Sequence, residues 1–281
     1  MNIQPKPAWL RKPIVLSQHD DLNALIGDLH LNTICKEGLC PNISECYRHK
    51  QATFLILGTN CTRQCRFCNV TKAKPLPVED NEPARVAEAI ARMGLRFVVI
   101  TSPTRDDLPD GGAAHFAKTV TAIRDKTPNV GIEILIPDFM GRHESLDIVK
   151  KSHPLIISHN LETVSRLYEV RKGADYKRSL NVLEYLADND GSIKTKSGIM
   201  LGLGETKDEV TALMHDLLTV GCRLLSIGQY LQPSKAHYPL QEYIRPEVFD
   251  EYKLIALDMG FTAVESAPYV RSSYMAERYL Q

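Results

Sequence analysis

The sequence predicts an α/β protein in which parallel strands alternate with helices and curl into a partial barrel. Three observations predict it. Short apolar runs recur at intervals after residue 52, helix-period stretches lie between them, and several runs end in Gly, Pro or small polar residues. The first strand is TFLILG at 53–58, an unbroken apolar run of the kind a strand covered on both faces shows. PARVAEAIARMG at 83–94 follows as a helix, then FVVI at 97–100, the helix AAHFAKTVTAIRDK at 113–126, IEILI at 132–136 and LIIS at 155–158. The second half repeats the pattern: YKRSLNVLEYLADN at 176–189, SGIMLG at 197–202, KDEVTALMHDLLTVG at 207–221 and RLLSIGQY at 223–230. PEVFDEYKLIALDMG at 246–260 adds a helix, and FTAVESAPYV at 261–270 leads to a tail.

A βα unit repeated about six times gives an open doubly wound sheet or a barrel, and both place the active site at the carboxyl ends of the strands. The ends at Gly58-Thr59-Asn60, Ser102-Pro103-Thr104, Ile136-Pro137-Asp138 and Gly202-Leu203-Gly204 favour a partial (β/α)6, TIM-like barrel with converging loops. Residues 1–50 fit no βα unit and are read as an N-terminal arm. Residues 51–281 make the barrel with its C-terminal helix and RSSY tail, and arm and tail together close the barrel mouth.

The composition bounds the function. With 34 basic and 34 acidic side chains the 281-residue chain has no net field to gather phosphates, so neither nucleic acid nor membrane is an expected partner. At 43% apolar and 24% charged it can bury one substantial core. No apolar run approaches the 18 or so residues of a membrane span, and the start MNIQPKPAWLRKP lacks the apolar block of a signal peptide, so the expected location is cytoplasmic.

Six of the seven cysteines, Cys35, Cys40, Cys46, Cys61, Cys65 and Cys68, fall between residues 35 and 68. In a reducing compartment grouped thiols hold metal more often than they form disulfides. The spacings are C-x4-C-x5-C and C-x3-C-x2-C. Structural zinc takes four ligands as two close pairs, which would leave two thiols idle. A ferredoxin-like carrier needs four protein ligands for each cluster. Three thiolates on a four-iron cluster leave one iron open to a substrate or cofactor, which points to chemistry. Triplets thus speak against the electron carrier, favour the open-iron cluster and leave zinc as the alternative on spacing alone.

CTRQCRFC at 61–68, directly after a first barrel strand, resembles the signature of the radical S-adenosylmethionine (SAM) superfamily. CKEGLCPNISEC at 35–46, RSSY at 271–274, KPAWLR at 6–11 and RDDLPDGG at 105–112 resemble the lipoyl synthase family within it, so the likeness runs along essentially the whole chain. The resemblance implies a SAM-binding [4Fe-4S] cluster on Cys61, Cys65 and Cys68, whose open iron chelates SAM. It also implies an auxiliary [4Fe-4S] cluster on Cys35, Cys40 and Cys46, completed by the oxygen of Ser273, with Ser272 as the alternative. The implied reaction is that of a sulfurtransferase in lipoate biosynthesis. Reductive cleavage of SAM gives a 5′-deoxyadenosyl radical, and sulfur from the auxiliary cluster enters C6 and C8 of an octanoyl group on a lysine of a lipoyl carrier domain. Implied partners are octanoylated 2-oxoacid dehydrogenase E2 subunits and glycine cleavage H protein, a low-potential donor such as ferredoxin or flavodoxin, and iron–sulfur assembly proteins. Lys6, Trp9 and Arg11 are candidate carrier contacts. A biotin synthase-like enzyme would share the triplet at 61–68 but hold its sulfur-donating cluster differently.

Further candidates line the expected mouth. SGIMLGLGE at 197–205 resembles a superfamily motif in which Gly202 and Gly204 approach the adenine of SAM; as plain sequence they equally terminate a strand. Asn160 and Glu162 are placed to bond a ribose, Arg171 to meet a carboxylate, and Phe67 to offer its backbone to adenine. None is expected to act as an acid or base, since the clusters carry the chemistry. Cys222 reads as a buried apolar residue, no histidine has ligand spacing, and Gly204-Glu-Thr-Lys207 lacks the spacing of a phosphate loop.

Overall fold

The computed structural model describes residues 5–11, 20–49, 51–187 and 193–280. The arm folds as α1 (Asp20–Asp28), a two-residue strand β1 (Asn32–Thr33), α2 (Ile34–Glu37) and α3 (Ile43–Arg48). After it come β2 (Thr53–Leu55) and a small separate pair, β3 (Asn60–Cys61) with β4 (Thr71–Lys72). Strand and helix then alternate as α4 (Glu82–Met93), β5 (Phe97–Thr101), α5 (Ala113–Lys126), β6 (Gly131–Leu135), α6 (His143–Lys151), β7 (Ile156–Ser158) and α7 (Tyr176–Leu186). The chain continues through β8 (Lys194–Leu201), α8 (Lys207–Thr219), β9 (Leu224–Gln229), α9 (Pro246–Met259) and β10 (Ala263–Ser266).

The main sheet runs β1-β2-β5-β6-β7-β8-β9-β10, parallel throughout except for the antiparallel β1–β2 pair. Two members add to the six-strand expectation. Ala263–Ser266 lies within the segment read as leading to the tail, yet it pairs in parallel with β9 as a seventh parallel strand. Asn32–Thr33 carries the arm into the sheet at the opposite edge. Both are too short and too polar to show the apolar run that marks the inner strands.

Side chains alternate across each strand. Phe54, Ile100, Ile134 and Ile157 point outward and pack with α4, α5 and α6 in one core, while Ile199, Leu201, Leu225 and Ile227 pack with α8 and α9 in a second. The alternate positions face the barrel interior, where Glu133, Ser158 and Lys196 meet. Helix ends follow local chemistry. Thr206 caps α8 in a reciprocal capping box with Glu209, which is what Gly204-Glu-Thr-Lys207 builds. Asp110 accepts from the amides of Gly112 (2.9 Å) and Ala114 (2.8 Å) at the start of α5. Gly112 has φ +94°, and a Cβ there would collide with Leu57, so glycine is required in this turn.

The tail returns to the arm. Asn42 Nδ2 donates to the Tyr269 carbonyl (2.6 Å) and the Tyr274 hydroxyl donates to Glu45 (2.8 Å). Cys222 is buried, with its Sγ against the Thr195 and Leu224 carbonyls. Among the described residues no helix is long and apolar enough to cross a membrane.

His159, at the end of β7, is buried with Nδ1 donating to the Ile136 carbonyl (3.0 Å) and Nε2 on Ser179 Oγ (3.0 Å), an arrangement that suits the neutral ring. Burial, followed by the nearby Arg171 charge, lowers its pKa to about 4. The unfolded chain therefore takes up this proton near pH 6.5 while the folded chain resists it until about pH 4, so stability is lost as pH falls across that window, by about 3 kcal/mol for this group. His159→Gln should show a shallower decline of the urea midpoint between those pH values than the parent chain. Parallel declines would contradict it.

Candidate active site

CTRQCRFC leaves the end of β2 and is pinned by loops from four other strands. Thr62 donates its amide and hydroxyl to the Thr104 carbonyl after β5 (3.0 Å each), and the Asp106 amide donates back to Thr62 Oγ1 (3.1 Å). The Arg66 amide donates to Val170 O after β7 (2.7 Å), and its carbonyl accepts from the Tyr238 amide after β9 (2.8 Å). Between the first two cysteines, Arg63 reaches Asp106 with Nε and Nη2 (2.8 and 2.9 Å) and Asp138 with Nη1 and Nη2 (2.9 and 2.6 Å). Arg178 from α7 adds a second cation to Asp138 at 2.8 Å. Burial pushes the Asp138 carboxyl up, but the Arg63 hydrogen bonds and charge outweigh it and hold the group well below the usual carboxylate range.

Upstream of the loop, Leu57 carries a left-handed φ of +67°. Its amide donates to Glu82 (2.8 Å) and its carbonyl accepts from Arg105 (2.9 Å). Glu82 in turn meets His115 at 2.7 Å. The RDDLPDGG segment thus serves the cysteine loop: Arg105 holds its start, Asp106 holds Arg63, and Asp110 caps the next helix. In the sequence this segment carries only a resemblance, and Arg63, Asp138 and Arg178 are not among the candidate site residues. No local pattern marks an ion pair between residues 75 positions apart.

Cys61, Cys65 and Cys68 are half-buried free thiols. Burial raises Cys65 and pushes Cys68 up to about 12, with the neighbouring cysteines adding to it. Arg171 and Glu162 lie within electrostatic reach of Cys65. Glu162 adopts φ +67°, held by backbone bonds to β8 from its amide to Gly198 O (2.9 Å) and from the Met200 amide to its carbonyl (2.8 Å). Burial raises its pKa against the pull of Arg171 and Asn160. Asn160 Nδ2 donates to Glu162 (3.0 Å) and to Ser272 Oγ (2.6 Å). Arg171 donates Nη1 to the Asn160 carbonyl (2.8 Å) and to the Tyr168 hydroxyl (2.5 Å). Asn160 Oδ1 and Arg171 Nε are buried without a hydrogen-bond partner among the described residues. Buried polar atoms are normally satisfied, so this corner is shaped for a polar ligand.

Three other candidates land in more ordinary surroundings. Gly202, at φ +99°, turns its α-carbon face to Gln229 and the Glu242 carbonyl, and Gly204, at φ +105°, faces Gln241, so protein rather than open space meets both. Phe67 packs on the core around α8 and α9.

The other triplet forms a second site across the mouth. Cys35, Cys40, Cys46, Thr53, Arg271 and Ser273 line one cleft. Burial pushes Cys35 up to about 11. Ser272 is turned away, toward Asn160 and Lys196. The tail can pass here because Gly198 and Gly228 have no side chains: a Cβ on Gly198 would lie 2.7 Å from Ser272 Oγ, and one on Gly228 would collide with Val270 O. Among the described residues no three His, Cys, Asp or Glu side chains gather tightly enough for a single ion.

The Radical SAM superfamily profile matches residues 55–217. The chain is 59% identical over 279 residues to the lipoyl synthase of Geobacter metallireducens, covering 99% of both chains. It is 53% identical to that of Caldicellulosiruptor saccharolyticus over 97% of this chain and 96% of the relative. This chain belongs to the lipoyl synthase family, within the radical SAM superfamily. Streptococcus suis SuiB bound to SAM shares the fold at TM-score 0.60 and 13% identity, covering 80% of this chain and 53% of SuiB. Methylornithine synthase does so at TM-score 0.55 and 12% identity, covering 89% of this chain and 78% of that enzyme. The partial barrel is therefore the superfamily's scaffold, and membership brings with it a [4Fe-4S] cluster and SAM. The residues fit that equipment: one unpartnered polar atom belongs to Arg171, whose charge acts on Cys65, and the other to Asn160, which donates to Glu162, a second charge acting on Cys65.

Arg63→Met leaves Asp106 without its cation and Asp138 with Arg178 alone. Breaking a buried pair in this way should cost about 3 kcal/mol in urea unfolding of the cluster-free chain, with partial recovery in Arg63→Met/Asp138→Asn. A loss below about 1 kcal/mol would show that Arg178 suffices.

Proposed function

We propose that the two cysteine groups divide the work of a lipoyl synthase: Cys61, Cys65 and Cys68 hold the SAM-binding cluster, and Cys35, Cys40 and Cys46 with Ser273 hold an auxiliary one. The observation that carries the reading is that Ser273, more than 200 residues after the arm cysteines, lines the same cleft as all three. When bound, the first cluster and SAM supply an oxidant able to take hydrogen from an aliphatic carbon, and the auxiliary cluster supplies the sulfur.

The chain's own residues prepare each centre. The Arg63 clamp fixes the loop that carries Cys61, Cys65 and Cys68, so ligation orders little backbone. Glu162, Asn160 and the free Nε of Arg171 offer an acceptor, a second acceptor and a donor to the polar ends of SAM. Ser273 brings a hard oxygen to an otherwise soft donor set, which favours one weakly held iron. Arm and tail restrict water at the mouth, as radical chemistry requires. The substrate is an octanoyl chain on a lysine of a lipoyl carrier domain, receiving sulfur at C6 and C8. E2 subunits and glycine cleavage H protein are the carriers expected, with a ferredoxin- or flavodoxin-type reductant and iron–sulfur assembly proteins as further partners.

Anaerobically reconstituted protein should hold about eight iron and eight sulfide per chain. Cys61→Ala should abolish 5′-deoxyadenosine formation. Cys40→Ala and Ser273→Ala should keep that cleavage and lose sulfur insertion, whereas Ser272→Ala should retain oxygen ligation at the auxiliary site. Lipoyl product from Cys40→Ala, read by the mass of the carrier, would overturn the auxiliary-cluster reading.

Lys6, Trp9 and Arg11 are exposed around a buried Leu10, the one anchor of their short 3-10 turn. Lys6→Glu/Arg11→Glu should weaken binding of octanoylated H protein about tenfold by calorimetry. Unchanged affinity would remove the arm from the docking surface.

A further inference from the structure

Inside the barrel, Glu133 on β6 and Lys196 on β8 form an ion pair with no exposed side-chain surface on either partner. Neither residue belongs to a cysteine group. Lys196 Nζ donates to Glu133 Oε2 (2.6 Å) and to the backbone carbonyl of Ser272 (2.8 Å), and it lies 4.5 Å from the centroid of the Tyr279 ring. Glu133 is itself held by the Ser158 hydroxyl. Tyr279 packs against Ile156 and Leu224, at the amino ends of their strands, and its hydroxyl donates to the Leu225 carbonyl (3.3 Å).

We propose that Glu133 and Lys196 are positioning residues that latch the C-terminal tail inside the barrel so that Ser273 faces Cys35, Cys40 and Cys46. One ammonium grips the tail at two places, the carbonyl of residue 272 and the ring of residue 279. Ser273 is the next residue after the gripped carbonyl, so its direction is fixed by that bond together with the Asn160 bond to Ser272 Oγ. Desolvating two charges makes such a pair a poor device for stability alone, since two apolar side chains would fill the same space at no electrostatic cost. Its distinctive property is a cation that reaches a carbonyl deep in a dry interior, where a charged donor binds more strongly than a neutral one. Gly198 and Gly228 leave the room through which the tail passes. The latch rests on the reading of Ser273 as the auxiliary cluster's fourth ligand.

The test uses the full chain carrying Cys61→Ala, Cys65→Ala and Cys68→Ala, reconstituted with ferrous iron and sulfide so that only the arm cysteines bind a cluster. In this background Glu133→Gln/Lys196→Met removes both charges together and leaves no unpaired one, so the core is expected to keep its cooperative melt. The Mössbauer signature of the oxygen-ligated iron should nevertheless disappear, matching Ser273→Ala, and combining the two changes should alter the spectrum no further. Retention of that signature in the Glu133→Gln/Lys196→Met variant overturns the latch, as does its loss only together with the cooperative melt. If Ser273→Ala alone leaves the spectrum unchanged, the ligand reading falls. Tryptic cleavage after Arg271 in the cluster-free chain then decides the latch: several-fold faster in the Glu133→Gln/Lys196→Met variant supports it, and an unchanged rate refutes it.

Discussion

An incomplete barrel has two sheet edges, and each presents unpaired backbone groups that must be covered. Here the edges are β1, which belongs to the arm, and β10, from which the tail departs. Beyond β1 the arm carries Cys35 on α2, Cys46 on α3 and Cys40 in the connection between them, and the tail carries Ser273 back toward them. Asn42 to Tyr269 and Glu45 to Tyr274 stitch the two across the seam. A fully closed barrel would have no such seam, so the incompleteness that makes the sheet vulnerable also creates the place where the chain's ends can build a shared site.

The mouth is organised by desolvated charge rather than by apolar packing. Arg63 with Asp106 and Asp138, and Glu82 with His115 and the Leu57 amide, each tie a loop of one strand to a loop or helix of another. Such pairs contribute little net stability because desolvation offsets most of the Coulomb attraction, yet removing one partner is expensive. That asymmetry fixes the cysteine loop: alternative positions are penalised strongly while the native one gains modestly. The loop at 61–68 is consequently fixed from β5, β6, β7 and β9.

How much of this was legible beforehand depended on the range of the signal. The inner strands were readable because burial on both faces leaves unbroken apolar runs such as TFLIL and FVVI, and the helices because one face repeats every three to four residues. The cysteine triplets were readable because each gathers three thiols within a dozen residues of sequence. Asn32–Thr33 and Ala263–Ser266 were not, since a short edge strand with polar residues carries neither signature. Glu133 stood inside IEILI as an acidic residue in an apolar run, and Lys196 just before SGIMLG; each is a local inconsistency of the kind that marks a special site. Their pairing, across 63 residues, exists only once β6, β7 and β8 lie side by side. At Gly202 and Gly204 the face a side chain would take is filled by the protein's own Gln229 and Gln241, a packing reason for glycine that the motif does not reveal.

Two adjacent serines sit in the tail, and their surroundings divide them. The Ser272 hydroxyl accepts from Asn160, whose amide also donates to Glu162 beside Cys65, and the Ser272 carbonyl accepts from Lys196. Ser273, one residue on, projects into the cleft of the arm cysteines. Ser272 and Ser273 are the two central residues of a turn closed by the Tyr274 amide donating to the Arg271 carbonyl (2.9 Å), and the turn sends one hydroxyl toward Asn160 and leaves the other in the arm's cleft. Asn160 therefore touches the tail and the candidate SAM corner with a single amide group. The Asn160 bond to Ser272 Oγ and the Lys196 bond to the Ser272 carbonyl together hold the residue that precedes Ser273.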